Sequence, residues 1–319
     1  MGMGVLKSAA LALGVWAAAS HSASAEGDKV IFGIGVDPTF AHFIVADKKG
    51  FFAENDIDAE IKTFGFGSLT LDAVLAGETD VAAATELPTI NAAVRGNLTA
   101  VVAANYVAPN YNAVVVSEDI SSVEDLKGKN VAVKRNSASD YFLSRFLSSN
   151  GLTEDDLSVK NVAPPEMVPA MSRGDVDAFL IWEPWPTKAL EIVPGAKILQ
   201  RGGDTYAMTN FISFSKKLAA DKDKAKRVMK SLVQADEFIS ENYDETVKMS
   251  AEAFNLSEDV AKVAMDRVEF KITLSPEVLQ HQEEAGKWLV NTGTLDTEPD
   301  YDDLTDKSIL EGVDPSRVN

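Results

Sequence analysis

Residues 181–186 read Ile-Trp-Glu-Pro-Trp-Pro. One carboxylate stands between two indoles, and prolines stiffen the backbone on both sides of the second. The chain has four tryptophans in all, so Trp182 and Trp185 are half of its supply. A carboxylate beside aromatic faces suits a cationic group, through its charge and through the ring quadrupole. Other chemistries are poorly served. The chain has no cysteine and three histidines, His21, His42 and His281, which leaves no thiol nucleophile, no thiolate metal site and no histidine-rich cluster. Catalysis by a pair of carboxylates, Glu86 with Glu183, is formally open, but nothing in the sequence separates it from binding. No catalytic residue, metal ligand or cofactor is assigned. His42 is read either as a ligand contact or as a helix-surface residue.

What could position Glu183 shows in an internal repeat. Residues 77–86 read Gly-Glu-Thr-Asp-Val-Ala-Ala-Ala-Thr-Glu, and residues 174–183 read Gly-Asp-Val-Asp-Ala-Phe-Leu-Ile-Trp-Glu. Gly77, Asp80 and Glu86 match Gly174, Asp177 and Glu183 at one constant offset. A helix-like segment precedes each glycine, over 69–76 and 166–173, with Ala73 and Ala170 in the same place. The spacing predicts a helix stopped by a left-handed glycine. A short turn follows, then a buried strand of unbroken apolar residues, as in a parallel sheet covered on both faces. Ligands of open α/β sheets bind beyond the carboxyl ends of the strands. Glu86 and Glu183 end their strands there, near Pro88 and Pro184. Chance likeness of two common α/β units would give the same elements.

Two more strand–helix junctions follow the pattern. A strand over 30–36 leads into Asp37-Pro38-Thr39 and a helix over 40–49. Aspartate at the N-cap with proline at the first helical position is a start signal. A strand over 129–134 leads into Asn136-Ser-Ala-Ser-Asp140 and a helix over 141–149. Free N–H groups at such a start can hold an anion, although plain capping needs no ligand.

Lys7 precedes an apolar run over 9–19, and Ala23-Ser24-Ala25 stands before Glu26. That is the pattern of an export leader cut after Ala25. The run is too short to span a bilayer, and no later stretch is long and apolar enough. The expectation is a soluble, periplasmic chain without stable membrane insertion. Its net charge of −19 becomes one unit more negative without Lys7, and such a surface repels nucleic acid. The length suits two lobes. A strand over 111–117 puts the first crossing between lobes near Val116, and an alternating stretch over 206–214 returns. From 218 onward Val228, Leu232, Ala235 and Phe238 mark helical spacing. Further helices are expected over 260–268 and 276–289, then an exposed acidic wrap over 296–306. The expected organisation is a leader at 1–25, a first lobe at 26–116 and 213–319, and a second lobe at 117–212. These are two α/β lobes on two crossing strands, able to close by a hinge and expected to act as a monomer.

Four stretches carry a resemblance: Gly-Phe-Phe-Ala-Glu-Asn-Asp-Ile-Asp-Ala-Glu at 50–60, Leu-Ala-Gly-Glu-Thr-Asp-Val-Ala at 75–82, Asp-Leu-Lys-Gly-Lys-Asn-Val-Ala-Val at 125–133 and Asp-Ala-Phe-Leu-Ile-Trp-Glu-Pro at 177–184. Together they resemble the substrate-binding proteins of nitrate/sulfonate/taurine-type ABC importers, over nearly the whole chain after the leader. Residues 133–141, Val-Lys-Arg-Asn-Ser-Ala-Ser-Asp-Tyr, with Ile181-Trp-Glu-Pro, are most similar to the aliphatic-sulfonate branch, which often has Asp where Glu183 stands. The resemblance implies a two-lobed periplasmic binding protein fold of type II, with C-terminal helices on the first lobe. It implies capture of a small solute in the cleft and delivery to an ABC permease with its ATPase. It also implies a cleft wall built from the loop after the first strand, Gly67-Ser68, Thr85-Glu86, the helix start at Ser137 and Ser139, and Trp182-Glu183.

Those loops bring Asp37, Glu86, Asp140 and Glu183 near Phe40, Phe66, Trp182 and Trp185, with Lys134 and Arg135 nearby. A zwitterion would place its amine on Glu183 and its acidic end at the Ser137–Ser139 start beside Arg135. Trp182 is expected as a wall and Trp185 packed beneath it. Asp37 and Asp140 either touch the ligand or only cap helices. A thiamine-precursor pyrimidine or a quaternary amine is the alternative ligand. A periplasmic ligand sensor and an enzyme on this fold are the alternative functions. The thiamine-pyrimidine synthases share the fold family, but the resemblance ties their iron chemistry to a cysteine-rich stretch that this chain lacks.

Overall fold

The two Gly-x-x-Asp copies fold alike. Each preceding helix stops at a glycine with positive φ, Gly77 at 74° and Gly174 at 76°. The Glu78 N–H donates to the Ala73 carbonyl at 2.8 Å and the Asp175 N–H to the Ala170 carbonyl at 2.9 Å. That is the long bond of a Schellman stop, and it explains why alanine stands at both positions. The aspartates then perform one task twice. Asp80 donates its N–H to the Ile31 carbonyl at 2.7 Å and accepts the Ile31 N–H on Oδ2 at 3.0 Å. Asp177 does the same with Asn130, at 2.9 and 2.8 Å. Each aspartate clamps the neighbouring strand with main chain and side chain together, and a parallel pairing begins there.

The structure, a computed structural model, describes residues 27–96 and 99–319. The leader expected over 1–25 lies outside the described residues. In chain order the strands are β1 (Asp28–Gly35), β2 (Ile57–Phe64), β3 (Val81–Thr85), β4 (Thr99–Ala108), β5 (Asn112–Val116), β6 (Asn130–Val133), β7 (Ser158–Asn161), β8 (Ala178–Trp182), β9 (Lys197–Arg201), β10 (Met208–Ser215) and β11 (Glu269–Thr273). They form two sheets, β11-β4-β10-β3-β1-β2 and β7-β6-β8-β5-β9. The inner order repeats. β1 lies parallel between β2 and β3, as β6 lies parallel between β7 and β8. β10 runs antiparallel between β3 and β4, as β5 does between β8 and β9. Phe179, Leu180 and Ile181 are all fully buried. Both faces of β8 are covered, so its sequence shows no alternation.

Sheet membership moves the crossings from the expected positions. β5 belongs to the second sheet, so the chain passes over at 109–111 rather than near Val116. β10 belongs to the first, so it returns at 202–207 rather than at 213. The run Asn112–Val116 is buried throughout, and an all-buried run carries no polar face to show which sheet it joins.

The helices Lys222–Glu241, Tyr243–Phe254 and Pro276–Asn291 pack on elements of the first sheet's lobe. The reading of 218 onward as mostly helical missed β11, a short edge strand on β4. The acidic stretch over 296–306 is more than an exposed wrap. Leu304 is buried, and the Asp306 N–H donates to the Val101 carbonyl at 2.9 Å. No helix of the described residues is long and apolar enough to cross a membrane.

Asp177→Ala leaves the Asn130 N–H without its partner, which costs about 1–3 kcal/mol. Denaturant unfolding should show that loss, and a smaller one for Asp177→Asn, which keeps an acceptor. Unfolding of both variants at the wild-type midpoint would contradict the clamp.

Candidate functional site

Loops after β1, β2 and β3 and after β6 and β8 line one cleft. Of the residues expected there, Asp37, Phe40, Phe66, Gly67, Ser68, Thr85, Ser137 and Trp182 form its wall. Glu86, Arg135, Ser139, Asp140 and Glu183 do not, and each has a physical reason.

Asp37 follows β1 as the N-cap of a short helical turn, with Pro38 next. Its Oδ1 accepts three hydrogen bonds, from the Thr39 N–H at 2.9 Å, the Thr39 hydroxyl at 2.7 Å and the Tyr111 hydroxyl at 2.6 Å. No hydrogen bond among the described residues reaches Oδ2. Burial pushes the carboxyl up to about 6, against the pull of those three donors. Asp37 therefore both caps its turn and lines the cleft. Phe40 packs over Gly35, where a Cβ would stand 2.7 Å from its ring. The helix Gly67–Leu75 opens without a side-chain cap. A Cβ on Gly67 would meet the Ala83 carbonyl at 3.2 Å, so glycine permits the close approach of this helix start to β3.

On the opposite wall, Ser137 caps the helix Ala138–Ser149, accepting the Ser139 N–H at 3.2 Å and donating to the Lys134 carbonyl at 2.6 Å. Ser139 is fully buried behind it, with its hydroxyl donating to the Leu180 carbonyl and accepting the Lys134 N–H. Arg135 is turned away. Its Nη1 reaches Asp140 at 2.7 Å, and its Nη2 reaches Glu154 at 2.6 Å. Asp140 also accepts the Asn136 N–H at 3.0 Å, so this pair shapes the loop. Two contacts link the walls: the Lys134 ammonium lies 5.1 Å from the Phe66 ring centre, and the Asn91 amide donates to Asn136.

The two repeat glutamates are withdrawn. Glu183 is fully buried, and its Oε1 lies 2.9 Å from Arg201 and 3.5 Å from Arg267. Its Oε2 accepts the Thr187 N–H at 3.1 Å. Glu86 accepts the Thr209 N–H at 2.8 Å and the Tyr206 hydroxyl at 3.0 Å. It faces a second cavity with Tyr141, Arg145, Asp204, His281 and Glu284, and burial pushes its carboxyl up to about 7. His42 is also away from the cleft, fully buried with Nε2 2.9 Å from Asp236.

Trp185, expected beneath Trp182, is half-buried and lines the cleft. Sequence reasoning missed Tyr106, Met208 and Asn210, which complete the wall from β4 and β10. Asn210 is 2% exposed, and its Oδ1 has no hydrogen-bond partner. The signal was an asparagine in a strand whose apolar residues, Met208, Phe211, Ile212 and Phe214, mark it as buried. No cluster of histidine and acidic side chains among the described residues is arranged to hold a metal ion.

Comparison with known proteins adds the following. Residues 37–246 match the family model described as NMT1/THI5 like. A protein of Brucella abortus (strain 2308) named as a binding protein is 27% identical over 215 residues, and the alignment spans 65% of each chain. A protein of Bacillus subtilis (strain 168) named as aliphatic sulfonates-binding is 25% identical over 288 residues, 87% of this chain and 86% of that one. The periplasmic aliphatic sulphonate binding protein SsuA from Escherichia coli has a TM-score of 0.74 at 21% identity, covering 87% of this chain and 92% of that one. The fold is thus the two-lobed periplasmic binding protein fold.

Two outcomes follow from the withdrawn glutamates. The folded state keeps a proton on Glu86 up to about 7, whereas the unfolded chain releases it near 4.5. Stability therefore falls as pH rises through that window. Glu86→Gln, which keeps an acceptor for Thr209, should exceed wild type in stability at about pH 8 by roughly 1–3 kcal/mol. The advantage should vanish at about pH 4, and an advantage equal at both pH values would contradict the assignment. Glu183→Gln strips Arg201 and Arg267 of their shared anion and should cost on the order of 2–3 kcal/mol. A wild-type melting temperature for that variant would show that the ion pair is immaterial.

Proposed function

The chain belongs to the NMT1/THI5-like family, and from that premise we propose that it is the solute-binding component of an ABC importer. It takes a small organic solute into the cleft between its lobes, closes on it and hands it to a permease with its ATPase. It acts in the periplasm as a monomer, after a leader is removed behind Ala25. The observation that carries this reading is the cleft: one wall comes from loops of the first sheet, the other from loops of the second. The segments 109–111 and 202–207 that join the sheets form the hinge. The names of the relatives support binding of a sulfonate or similar solute. The uncapped start of the helix Gly67–Leu75 and the start at Ser137 and Ala138 suit an acidic end of such a solute.

Binding is favoured over catalysis by the placement of Glu86 and Glu183. A carboxylate pair working on a substrate would have to face the cleft, and both side chains are spent on other partners.

A solute at a hundred times its dissociation constant should add about 2.7 kcal/mol of stability. Compounds that do so in a thermal-shift screen of ligand-free protein should also shrink the radius of gyration measured by X-ray scattering. A radius unchanged at saturation would count against a closing receptor.

A further inference from the structure

We propose that the cleft selects a small organic ammonium, a protonated amine whose N–H donors meet Asp37 and Asn210. The inference rests on the reading of the chain as a solute receptor, and it narrows the class of solute.

Charge comes first. Among the described residues that line the cleft there is one carboxylate, Asp37, and no Arg, Lys or His. Arg135 is engaged by Asp140 and Glu154. Lys134, over the Phe66 ring, is outside the lining. A plain anion would meet the negative charge of Asp37, with helix starts but no cationic side chain among the lining residues to offset it.

Hydrogen bonding points the same way. The three donors to Asp37 all use Oδ1. Oδ2 is open in a residue that is 6% exposed. Asn210 Oδ1 is buried and unpartnered. Asp37 and Asn210 line the same cleft, with Tyr106 also in its wall. The cleft thus presents two acceptors awaiting donors, and a buried acceptor left unpaired is costly. A primary ammonium has three N–H groups, enough for both. A quaternary ammonium has none.

The remaining wall suits the charge. Phe40, Phe66, Trp182 and Trp185 bring aromatic faces to the same cleft, and such faces attract a cation. A neutral amino-heterocycle would offer N–H donors without the charge that Asp37 and the rings reward. The amine partner is thus Asp37, at the end of the first strand, rather than Glu183, which Arg201 and Arg267 neutralise.

The test titrates ligand-free protein, by calorimetry at about pH 8, with compounds that differ only at the head group. The probes are 3-aminopropanesulfonate, propanesulfonate and 3-(trimethylammonio)propanesulfonate, with butylamine and neutral 4-aminopyrimidine beside them. The primary ammonium compounds should bind at least tenfold more tightly than their deaminated or trimethylated partners and than the aminopyrimidine. Asp37→Asn should remove that preference, and Asn210→Ala should reduce it severalfold. If Asp37→Asn does not fold, the wild-type panel and Asn210→Ala decide. Propanesulfonate or aminopyrimidine binding as tightly as the amines would overturn the ammonium proposal and leave the receptor reading intact. Absence of binding by any amine also overturns it. If, in addition, a small-molecule extract of the periplasm produces no closure in scattering, the receptor reading fails as well.

Discussion

Three acids at the carboxyl ends of the strands are taken out of water, and each is tied to a segment that carries the chain between the sheets, Asp37 and Glu86 through the carboxylate and Glu183 through its main chain and its partner Arg201. Asp37 accepts from Tyr111, in the first crossing. Glu86 accepts from Tyr206, in the second crossing, and from Thr209 just beyond it. Glu183 donates its N–H to the Tyr111 carbonyl, and its partner Arg201 donates to the Asn110 carbonyl. A buried polar or ionised group without partners is costly, so the crossings cannot drift without exposing or stranding one of these acids. The geometry of the crossings and the chemistry of the cleft are in this sense one set of interactions. Tyr206 shows the coupling most plainly: its hydroxyl is bound to the first lobe at Glu86, while its ring packs on Tyr141 and Phe142 of the second.

The constraint also sorts the carboxylates by role. Glu183 and Glu86 share a place in the repeat, yet both are consumed in fastening the lobes. Asp37 uses one oxygen for that purpose and keeps the other. A fold built on paired α/β units has several strand-end acids, and the crossings decide which of them keeps an open carboxylate oxygen.

Much of this was legible in the sequence where the physics is local. Gly77 and Gly174 stop helices because their backbone needs positive φ, and Asp80 and Asp177 recur because each clamps the adjacent strand. Asp37-Pro38 marks its turn, and Ser137 its helix. The fates of Glu183 and Arg135 were not legible, because they depend on partners that arrive from elsewhere. Arg201 and Arg267 reach Glu183 from β9 and from the first lobe's C-terminal part, and Glu154 reaches Arg135 from the following loop. The first crossing was misplaced because β5 is buried on both faces. Asn210 was visible as a polar residue in a buried strand, but its open acceptor emerges only when β10 is set beside β4 and β3.

The central claim is that Asp37, alone among the strand-end acids, meets the solute. Carboxyl carbon NMR of protein labelled at its Asp and Glu side chains tests it directly, with the Asp37 signal assigned by Asp37→Asn. Free protein should show Asp37 titrating at about 6 and Glu86 at about 7. Saturation with 3-aminopropanesulfonate should drive the Asp37 midpoint well down and leave that of Glu86 in place. An unmoved Asp37 with a displaced Glu86 or Glu183 would contradict the account.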